Sequence, residues 1–515
     1  MLGHLLTLLV LFSVLVSGCA INPVTGENEF NFVSQQAELK IGAEQYAPSR
    51  QMQGGDYLVD PQVTAYVSSV GNRIAAVSDR KLPYEFKVIN DSTPNAWALP
   101  GGKIAINRGL LTELQSEAEL AAVLSHEIVH AAARHSAQGM ERGLLLQGAV
   151  MAAGLAIGEA DYANYVVGGA GLAANLLSQK YGRDAERESD YYGMKYMARA
   201  GYDTTAAVTL QETFVRLSES RNSNWLAGLF SSHPPSMERV EANRRALQDF
   251  PPGGEVGRER YQNKISSLLK DKAAYDALDS GRKALKEGQA DAALAYAQKA
   301  LSIQPREALF HSLRGDVRYK QKNYQDAVAN YDRALQRNND FFLFYLQRGL
   351  ANAKLGNSDK AYADLEQSVK RLPTAPAMKA LGDISLARGN LQEAKAFYRN
   401  AANSKSPEGQ EALASLVRLD LPDNPQNYLP VRLGLNSEKY LVAQVENSTA
   451  ETVTDIAIEI VFHDAGGRRQ QVQFMAPGRI GPGGKLLIST GIGPDPRISN
   501  VEGGVIKTRV VSQRQ

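Results

Sequence analysis

Four glycines, Gly281, Gly315, Gly349 and Gly382, recur at spacings of 34, 34 and 33 residues. Four alanines keep step with them: Ala293, Ala327, Ala361 and Ala394 each stand twelve residues after their glycine. Tyr331 and Tyr398 share a register, and Pro305 and Pro373 close two of the units. No other feature narrows the possible folds so far. A unit of this length holds two helices and a turn, and small residues let the two helices cross closely. One such pair cannot cover its own apolar face, but stacked pairs bury a continuous core. The stretch from about Ala274 to Lys405 therefore predicts an α-helical solenoid.

Period, register and closing prolines together make the tetratricopeptide pattern, in four units. Such arrays leave a concave surface that usually binds peptide or protein, so a protein partner is expected there; the plain alternative is a spacer. The chain changes character on both sides. Pro251-Pro252-Gly253-Gly254 is a cluster of chain breakers and marks a boundary. Beyond about Tyr428, Ile456, Ile458, Ile460 and Phe462 alternate with Ala457, Glu459 and Val461, Asp464-Ala465-Gly466-Gly467 turns the chain, and further β patterns follow. That pattern predicts a small β-sandwich. The expected map is a leader over 1–18, a first domain over 19–250, a linker over 251–273, repeats over 274–407, a second linker over 408–427 and the sandwich over 428–515.

A chain of 515 residues is too long for one core. Its 43% hydrophobic and 22% charged residues are ordinary for globular protein. A net charge of +2 argues neither for nor against nucleic acid, but no lysine- or arginine-rich run supports a phosphate-tracking surface, so no nucleic-acid partner is expected. The single cysteine, Cys19, is informative by position. Residues 5–16, LLTLLVLFSVLV, are too short to span a bilayer comfortably and are followed by Ser17-Gly18-Cys19. A short apolar core ending in small residues reads as a cleaved export signal. The ending VSGC resembles the bacterial lipoprotein signal, in which the cysteine is lipidated; the other reading is an ordinary signal peptide with a stray cysteine. A lipidated Cys19 would hold the chain on a membrane. Ala20, in place of aspartate, then points to the outer membrane, seen from the bacterial periplasm.

Within the first domain, Tyr84 to Ile89 alternates like a strand. So does Lys103-Ile104-Ala105-Ile106-Asn107, after the turn signal Pro100-Gly101-Gly102. Ser116-Glu117-Ala118-Glu119 is a capping box and starts a helix. Residues 143–177, rich in Ala, Gly, Leu and Val, read as buried helices in preference to a membrane-surface element or a cleft wall.

The capped helix carries LSHEIVHAAARHS, residues 124–136, with three of the chain's seven histidines. His126 and His130 are four apart, which on a helix puts both imidazoles on one face within reach of one ion. Glu127, beside His126, can approach a metal-bound water without ligating. This is the H-E-x-x-H arrangement, and zinc suits such donors. A third ligand is needed. His135 is rotated well off the face and reads as a solvated residue at the helix end. Downstream, in YGRDAERESDYYG, Glu186 and Asp190 share a helical face. Glu186 could complete a His-His-Glu set and Asp190 could accept the free ring N–H of a ligating histidine. Spacing alone leaves a charged, exposed helix equally open. Glu188 is the rival ligand, off that face.

NAWALPGGKIAINRGLL, HEIVH, RDAERESDYYG and SHPPSMERV occur in that order over about residues 30–245. In this the chain resembles the zinc metalloproteases of peptidase family M48. The resemblance implies a mainly α, gluzincin-like (zincin) metalloprotease domain with a small β-sheet. It implies one Zn2+ per chain held by His126, His130 and Glu186, with Glu127 as acid/base and Asp190 as supporting carboxylate. Val129 departs from the small residue common in the family but removes no ligand. His233 and Arg239 match a histidine and an arginine that lie near the active site in the family. Two roles are open to them: donation to the oxyanion of the tetrahedral intermediate, or occupation by His233 of the fourth zinc position, which would keep the enzyme latent. A plain loop histidine is the third reading. Lys103 to Asn107 is read as an edge strand to which an extended substrate adds.

Two functions compete. One is a zinc endopeptidase of the bacterial envelope, with unfolded or misassembled envelope proteins as substrates and a role in quality control. The other is a chaperone or assembly adaptor that works through its repeats, with proteolysis weak or latent. An intramembrane protease is disfavoured, because no run of about 20 apolar residues follows the leader.

Overall fold

A computed structural model of the chain describes residues 19–142, 172, 175–177, 181–220, 233–494 and 498–511. The expected leader and most of the apolar stretch over 143–177 lie outside the described residues. The chain forms two compact units, Met1–Pro373 and Thr374–Gln515.

The first unit opens with a short hairpin, β1 (Cys19–Ile21) and β2 (Asn28–Phe30), followed by helices α1 (Gln35–Met52) and α2 (Pro61–Ala75). Then comes a three-stranded sheet of β3 (Glu85–Ile89), β4 (Ala96–Leu99) and β5 (Lys103–Asn107). Its order is β3-β5-β4, with β5 parallel to β3 and antiparallel to β4. Lys103, Ile104, Ala105, Ile106 and Asn107 are therefore the middle strand, which corrects the expectation of an edge. The reason is the turn before it. Gly101 and Gly102 take φ of +79° and +83°, a region glycine enters without strain, and fold β4 back onto β5. Alternation in sequence marks a strand but cannot say whether one or both of its edges are paired. The outer strands are β3 and β4; Asp56 bridges to Ile89 on the outer side of β3, and β4 has no further strand partner among the described residues.

Helix α3 (Glu117–Ala132) is buried at every position except His126. Ser116 caps it by accepting from the Glu119 amide at 3.2 Å, and Glu119 reaches back to the Gln115 amide at 2.7 Å. A helix that is apolar nearly all round must be surrounded. The neighbours of α3 include α2, the sheet, α4 (Arg183–Arg199) and α5 (Thr205–Ser220). The short helix α6 (Met237–Ala246) packs on α4 and α5.

The repeats follow as helix pairs: α7 (Ser266–Lys286) with α8 (Ala290–Ile303), α9 (Ala308–Lys320) with α10 (Tyr324–Arg337), and α11 (Phe342–Lys354) with α12 (Ser358–Arg371). The expected small residues sit where each pair crosses. Ala293, Ala327 and Ala361 are fully buried, and a methyl group on Gly315 would stand 2.5 Å from the Tyr331 ring. The first domain and these repeats share one core, which runs from Val24 to Phe344. Polar contacts cross the same junction. The Arg108 guanidinium lies 3.4 Å over the Tyr275 ring, and the Asn90 amide donates to Glu307 at 3.0 Å.

The second unit holds the fourth pair, α13 (Ala375–Ala387) and α14 (Leu391–Ala401), then α15 (Pro407–Asp420) and two antiparallel three-stranded sheets. Strands β6 (Val431–Leu435), β7 (Leu441–Glu446) and β10 (Lys485–Ser489) form one; β8 (Val453–His463), β9 (Arg469–Ile480) and β11 (Ser499–Val510) form the other. Ala443 and Val445 from the first sheet and Ile456, Ile458 and Ile460 from the second are buried in one cluster, as a sandwich requires. The architecture is thus multidomain and mainly helical, with a small sheet in the first unit and strands at the C-terminal end. Among the described residues no helix is long and apolar enough to cross a membrane.

Candidate metal centre

Helix α3 presents His126 and His130 one turn apart, with their Nε2 atoms 3.0 Å from each other. Glu186 comes from the first turn of α4, where the positive end of the helix dipole favours a carboxylate. Its Oε1 lies 3.4 Å from His130 Nε2 and its Oε2 lies 3.6 Å from His126 Nε2. His233 closes the group from the segment before α6, with Nδ1 2.9 Å from Glu186 Oε1 and 3.3 Å from His126 Nε2. These four residues offer ligand atoms that all lie within 4.8 Å of one another. Donors around a tetrahedral ion with bonds of about 2.0–2.2 Å stand roughly 3.3 Å apart. The five separations given above, 2.9 to 3.6 Å, bracket that edge, and three nitrogens with one carboxylate oxygen suit a borderline ion such as zinc. The donor set fits a metal.

The electrostatics match. Burial works against charge on His126, but Glu186 and Asp190 outweigh it and push its imidazole up to about 10. Burial holds His130 well below the ordinary histidine range. Burial also opposes ionisation of Glu186, yet His233 and His126 bring its carboxyl well below the usual value. A cluster that draws a positive charge onto an imidazole is one that a cation can satisfy.

Glu127 lies on the same face, with Oε1 3.6 Å from His233 Nε2. Burial pushes its carboxyl up, and its Oε2 is buried without a hydrogen-bond partner. A carboxyl raised by burial and set beside a ligand group is suited to taking and returning a proton.

Each α3 histidine is held from behind. Asp190 Oδ1 lies 3.0 Å from His126 Nδ1. Arg239 grips that aspartate through Nε at 2.8 Å and Nη2 at 2.7 Å, and its Nη1 reaches Glu186 Oε2 at 2.8 Å. Its other Nη1 contact is the Pro234 carbonyl. Ser236 sets this up by capping α6 and accepting from the Arg239 amide. The guanidinium is thus spent on carboxylates. Arg239 clamps Glu186 and Asp190, and of the roles the sequence left open for it these contacts favour a positioning one.

His135 also departs from expectation. It is 3% exposed, with Nδ1 2.9 Å from His130 Nδ1 and Nε2 3.1 Å from Glu188 Oε2. The reason is local. Helix α3 ends at Ala132, and Arg134 takes φ of +65°, which turns the chain so that His135 lies against His130. A left-handed arginine is strained. Its side chain is held by Glu38 at 2.7 Å, Glu29 at 2.7 Å, Glu141 at 3.3 Å and the Val33 carbonyl at 2.7 Å. No glycine or asparagine marked this helix end, so extrapolating the helix through His135 pointed it to solvent. Glu188, the rival ligand, serves His135 instead. Tyr181 was missed altogether: its ring stacks on His130 at 3.9 Å and its hydroxyl meets Ser136 Oγ at 2.9 Å. Its signal was adjacency, since it begins the segment that carries Glu186.

Beside the cluster an apolar recess opens between α3, α4 and α5, lined by Val123, Met194, Met197, Leu210 and Phe214 and reaching His126 and Glu127.

A family model described as Peptidase family M48 matches residues 61–246, and two tetratricopeptide-repeat models match 315–356 and 346–411. The beta-barrel assembly-enhancing protease of Escherichia coli is 28% identical over 368 residues, covering 65% of this chain and 73% of that one. The mitochondrial metalloendopeptidase OMA1 of Schizosaccharomyces pombe is 34% identical over 239 residues, 46% of this chain and 68% of that one. A Vibrio cholerae protein, provisionally named a beta-barrel assembly-enhancing protease, is 34% identical over 203 residues; this chain spans only 41% of its length.

Proposed function

The chain belongs to peptidase family M48, and we propose that it is a zinc-dependent endopeptidase of the bacterial envelope that removes stalled or misfolded outer-membrane proteins. The observation that carries the chemistry is the convergence of His126, His130, Glu186 and His233 beside Glu127. His126, His130 and Glu186 would hold the ion. Bound zinc supplies Lewis acidity, polarising the scissile carbonyl and making a water more acidic. Glu127 takes the proton of the attacking water and passes it to the leaving amine. Asp190 and His135 orient the two ligating imidazoles, and Arg239 fixes the carboxylates. The recess at Val123, Met194 and Leu210 favours an apolar side chain next to the cleaved bond. Supporting the client class, the E. coli relative is named for enhancing β-barrel assembly. A lipidated Cys19 would tether the chain to the periplasmic face of the outer membrane, and the repeats would bind a protein partner or deliver clients.

A second reading, a chaperone or adaptor with latent proteolysis, is favoured by His233. Its Nδ1 lies 2.9 Å from Glu186 Oε1 and 3.3 Å from His126 Nε2, so His233 would be able to supply a fourth ligand, which would displace the attacking water. One experiment separates the two readings. The chain from Gly18 onward is purified, its zinc content measured, and cleavage of an unfolded protein followed, with Glu127→Gln as control. The proteolytic reading expects one zinc and cleavage that Glu127→Gln abolishes. Absence of zinc, or cleavage that survives Glu127→Gln, sinks it. Cleavage seen only with His233→Ala establishes the latent form.

A further inference from the structure

The hairpin of β1 and β2 is apolar inside and outside. Val24, in its loop, is buried in the core that the first domain shares with the repeats. Ile21, Phe30 and Phe32, the last just past β2, are 69%, 50% and 46% exposed. We propose that Ile21, Phe30 and Phe32 form a membrane-contact patch that enters the interface of a lipid bilayer and seats the protease domain directly on it.

A strand pair that only covers a domain is apolar on its inner face and polar outside. Exposed apolar side chains scattered singly are ordinary, whereas a contiguous group marks a surface for a partner or a membrane. This group is contiguous. The Phe30 and Phe32 rings stack at 5.7 Å. Ile21 pairs with Asn28, two residues from Phe30, and such a cross-strand diagonal is within reach of an aromatic ring.

Two observations select lipid as the occupant. The register pairs Cys19 with Phe30, so acyl chains on Cys19 would enter the bilayer beside the patch. In this the proposal rests on the reading of Cys19 as lipidated. The second observation is charge. Between Ala20 and Ala37 the charged residues are Glu27 and Glu29, and Glu29 is held by Arg134 at 2.7 Å and by the Gln138 amide at 2.5 Å. The three side chains of the patch carry no charge, as burial about 5–10 Å deep at the boundary between headgroups and acyl chains requires.

The hairpin is also fixed to the domain. Asn22 is buried, and its amide donates to the Ala133 carbonyl at 2.9 Å and to Glu29 at 2.8 Å. Its Oδ1 accepts from the Val24 amide at 2.9 Å, and the Val33 amide donates to Glu141 at 2.8 Å. Ala20 and Ile21 alone separate Cys19 from Asn22, a span of at most about 10 Å. An anchor at Cys19 therefore leaves the domain little room to stand off. The contacts to Ala133 and Arg134 place the turn after α3 on the side held toward the lipid. Several acyl chains hold a protein on a membrane without further help, so the patch serves orientation.

The chain has one cysteine, so a maleimide bearing a single myristyl group labels Cys19 alone in the chain from Gly18 onward. One such chain binds a bilayer only marginally, which leaves the patch's contribution visible. Co-sedimentation with phosphatidylcholine vesicles measures it. Ile21→Ser/Phe30→Ser/Phe32→Ser, all at exposed positions, is expected to bind about 30-fold more weakly, with an unchanged melting curve. Raising salt from about 0.1 to 0.5 M should not weaken the parent's binding, since no charge is involved. A second measurement uses vesicles brominated on the acyl chains. Emission gained by Phe30→Trp over the parent should be quenched, and that gained by Glu27→Trp, in the exposed loop and closer to Cys19 in sequence, should not. Vesicle binding as tight by the triple variant as by the parent overturns the proposal. So does release by salt, or quenching at 27 as strong as at 30. A parent dimer in solution that the triple variant dissolves would assign the patch to a second copy and overturn the lipid assignment. Failure of the lipidation reading shows separately, as no lipid mass on Cys19 when the chain is made with its leader in a bacterium; the vesicle result stands apart, because its acyl chain is attached chemically.

Discussion

Replacing His135 by alanine removes the support of the candidate ligand His130 without touching a donor atom of the candidate metal site. With His130 Nε2 turned toward the ligand cluster, its Nδ1 carries the proton and donates to His135 Nδ1, 2.9 Å away. His135 must then carry its own proton on Nε2, which donates to Glu188 at 3.1 Å. The chain of three groups sets both tautomers. Losing His135 leaves a buried N–H on His130, at a cost of about 1–3 kcal/mol. Loss of an orienting partner independently weakens metal binding about 10–100-fold, or about 1.4–2.8 kcal/mol. The two routes converge, so His135→Ala is expected to raise the Zn2+ dissociation constant about 10–100-fold. Competition with a chromophoric chelator measures it, with a melting curve to confirm folding. Glu188→Gln keeps an accepting oxygen on a side chain one-third exposed, and its effect should stay under about threefold. A folded His135→Ala protein that binds zinc within about twofold of the parent would refute the tautomer chain, whatever its activity.

Other outcomes follow from the same geometry. His233→Ala should raise peptidase activity if the imidazole holds the fourth ligand position, and weaken zinc binding at the same time; activity assays paired with metal titration read both. Arg239→Met leaves Asp190 and Glu186 buried without their cation, a loss of about 3–5 kcal/mol that lowers the melting temperature of the metal-free chain. Saturating zinc, another cation beside Glu186, should recover part of it, and a melting temperature unchanged by Arg239→Met contradicts the clamp. Asp316 tests the repeats. Its folded-state carboxyl lies near 7 against an ordinary 3.8, so the folded chain keeps a proton the unfolded chain releases, and stability falls as pH rises from about 4 to about 7. Between pH 5 and pH 8 the loss is at most about 3 kcal/mol. Asp316→Asn, which keeps the accepting oxygen, should flatten it in denaturant melts at those two pH values.

The catalytic candidates were legible where chemistry follows local periodicity. His126 and His130 share a face because a helix repeats every 3.6 residues, and Glu186 and Asp190 share one for the same reason. His135 was illegible because its position depends on the left-handed turn at Arg134, which is sustained by Glu29, Glu38 and Glu141 from distant parts of the chain. The alternation of Lys103 to Asn107 announced a strand and not its neighbours, since pairing on the second edge is decided by β4 folding back over Gly101 and Gly102. Arg239 could be placed near the site by its motif, yet only packing shows its fork closed on Asp190 and Glu186.

The sequence by itself determined the elements whose cause is periodic: the helix pairs of the repeats, the two-histidine face of α3 and the alternating strands of the sandwich. Each follows from a spacing that backbone geometry turns into a face. The tertiary structure alone decided which atoms converge. It brought His233 across 107 residues to within 3.3 Å of His126, put His135 behind His130, and joined the first domain to the repeats through one core. Those contacts are made between elements, where burial and charge pairing, and not local conformational preference, choose the partner.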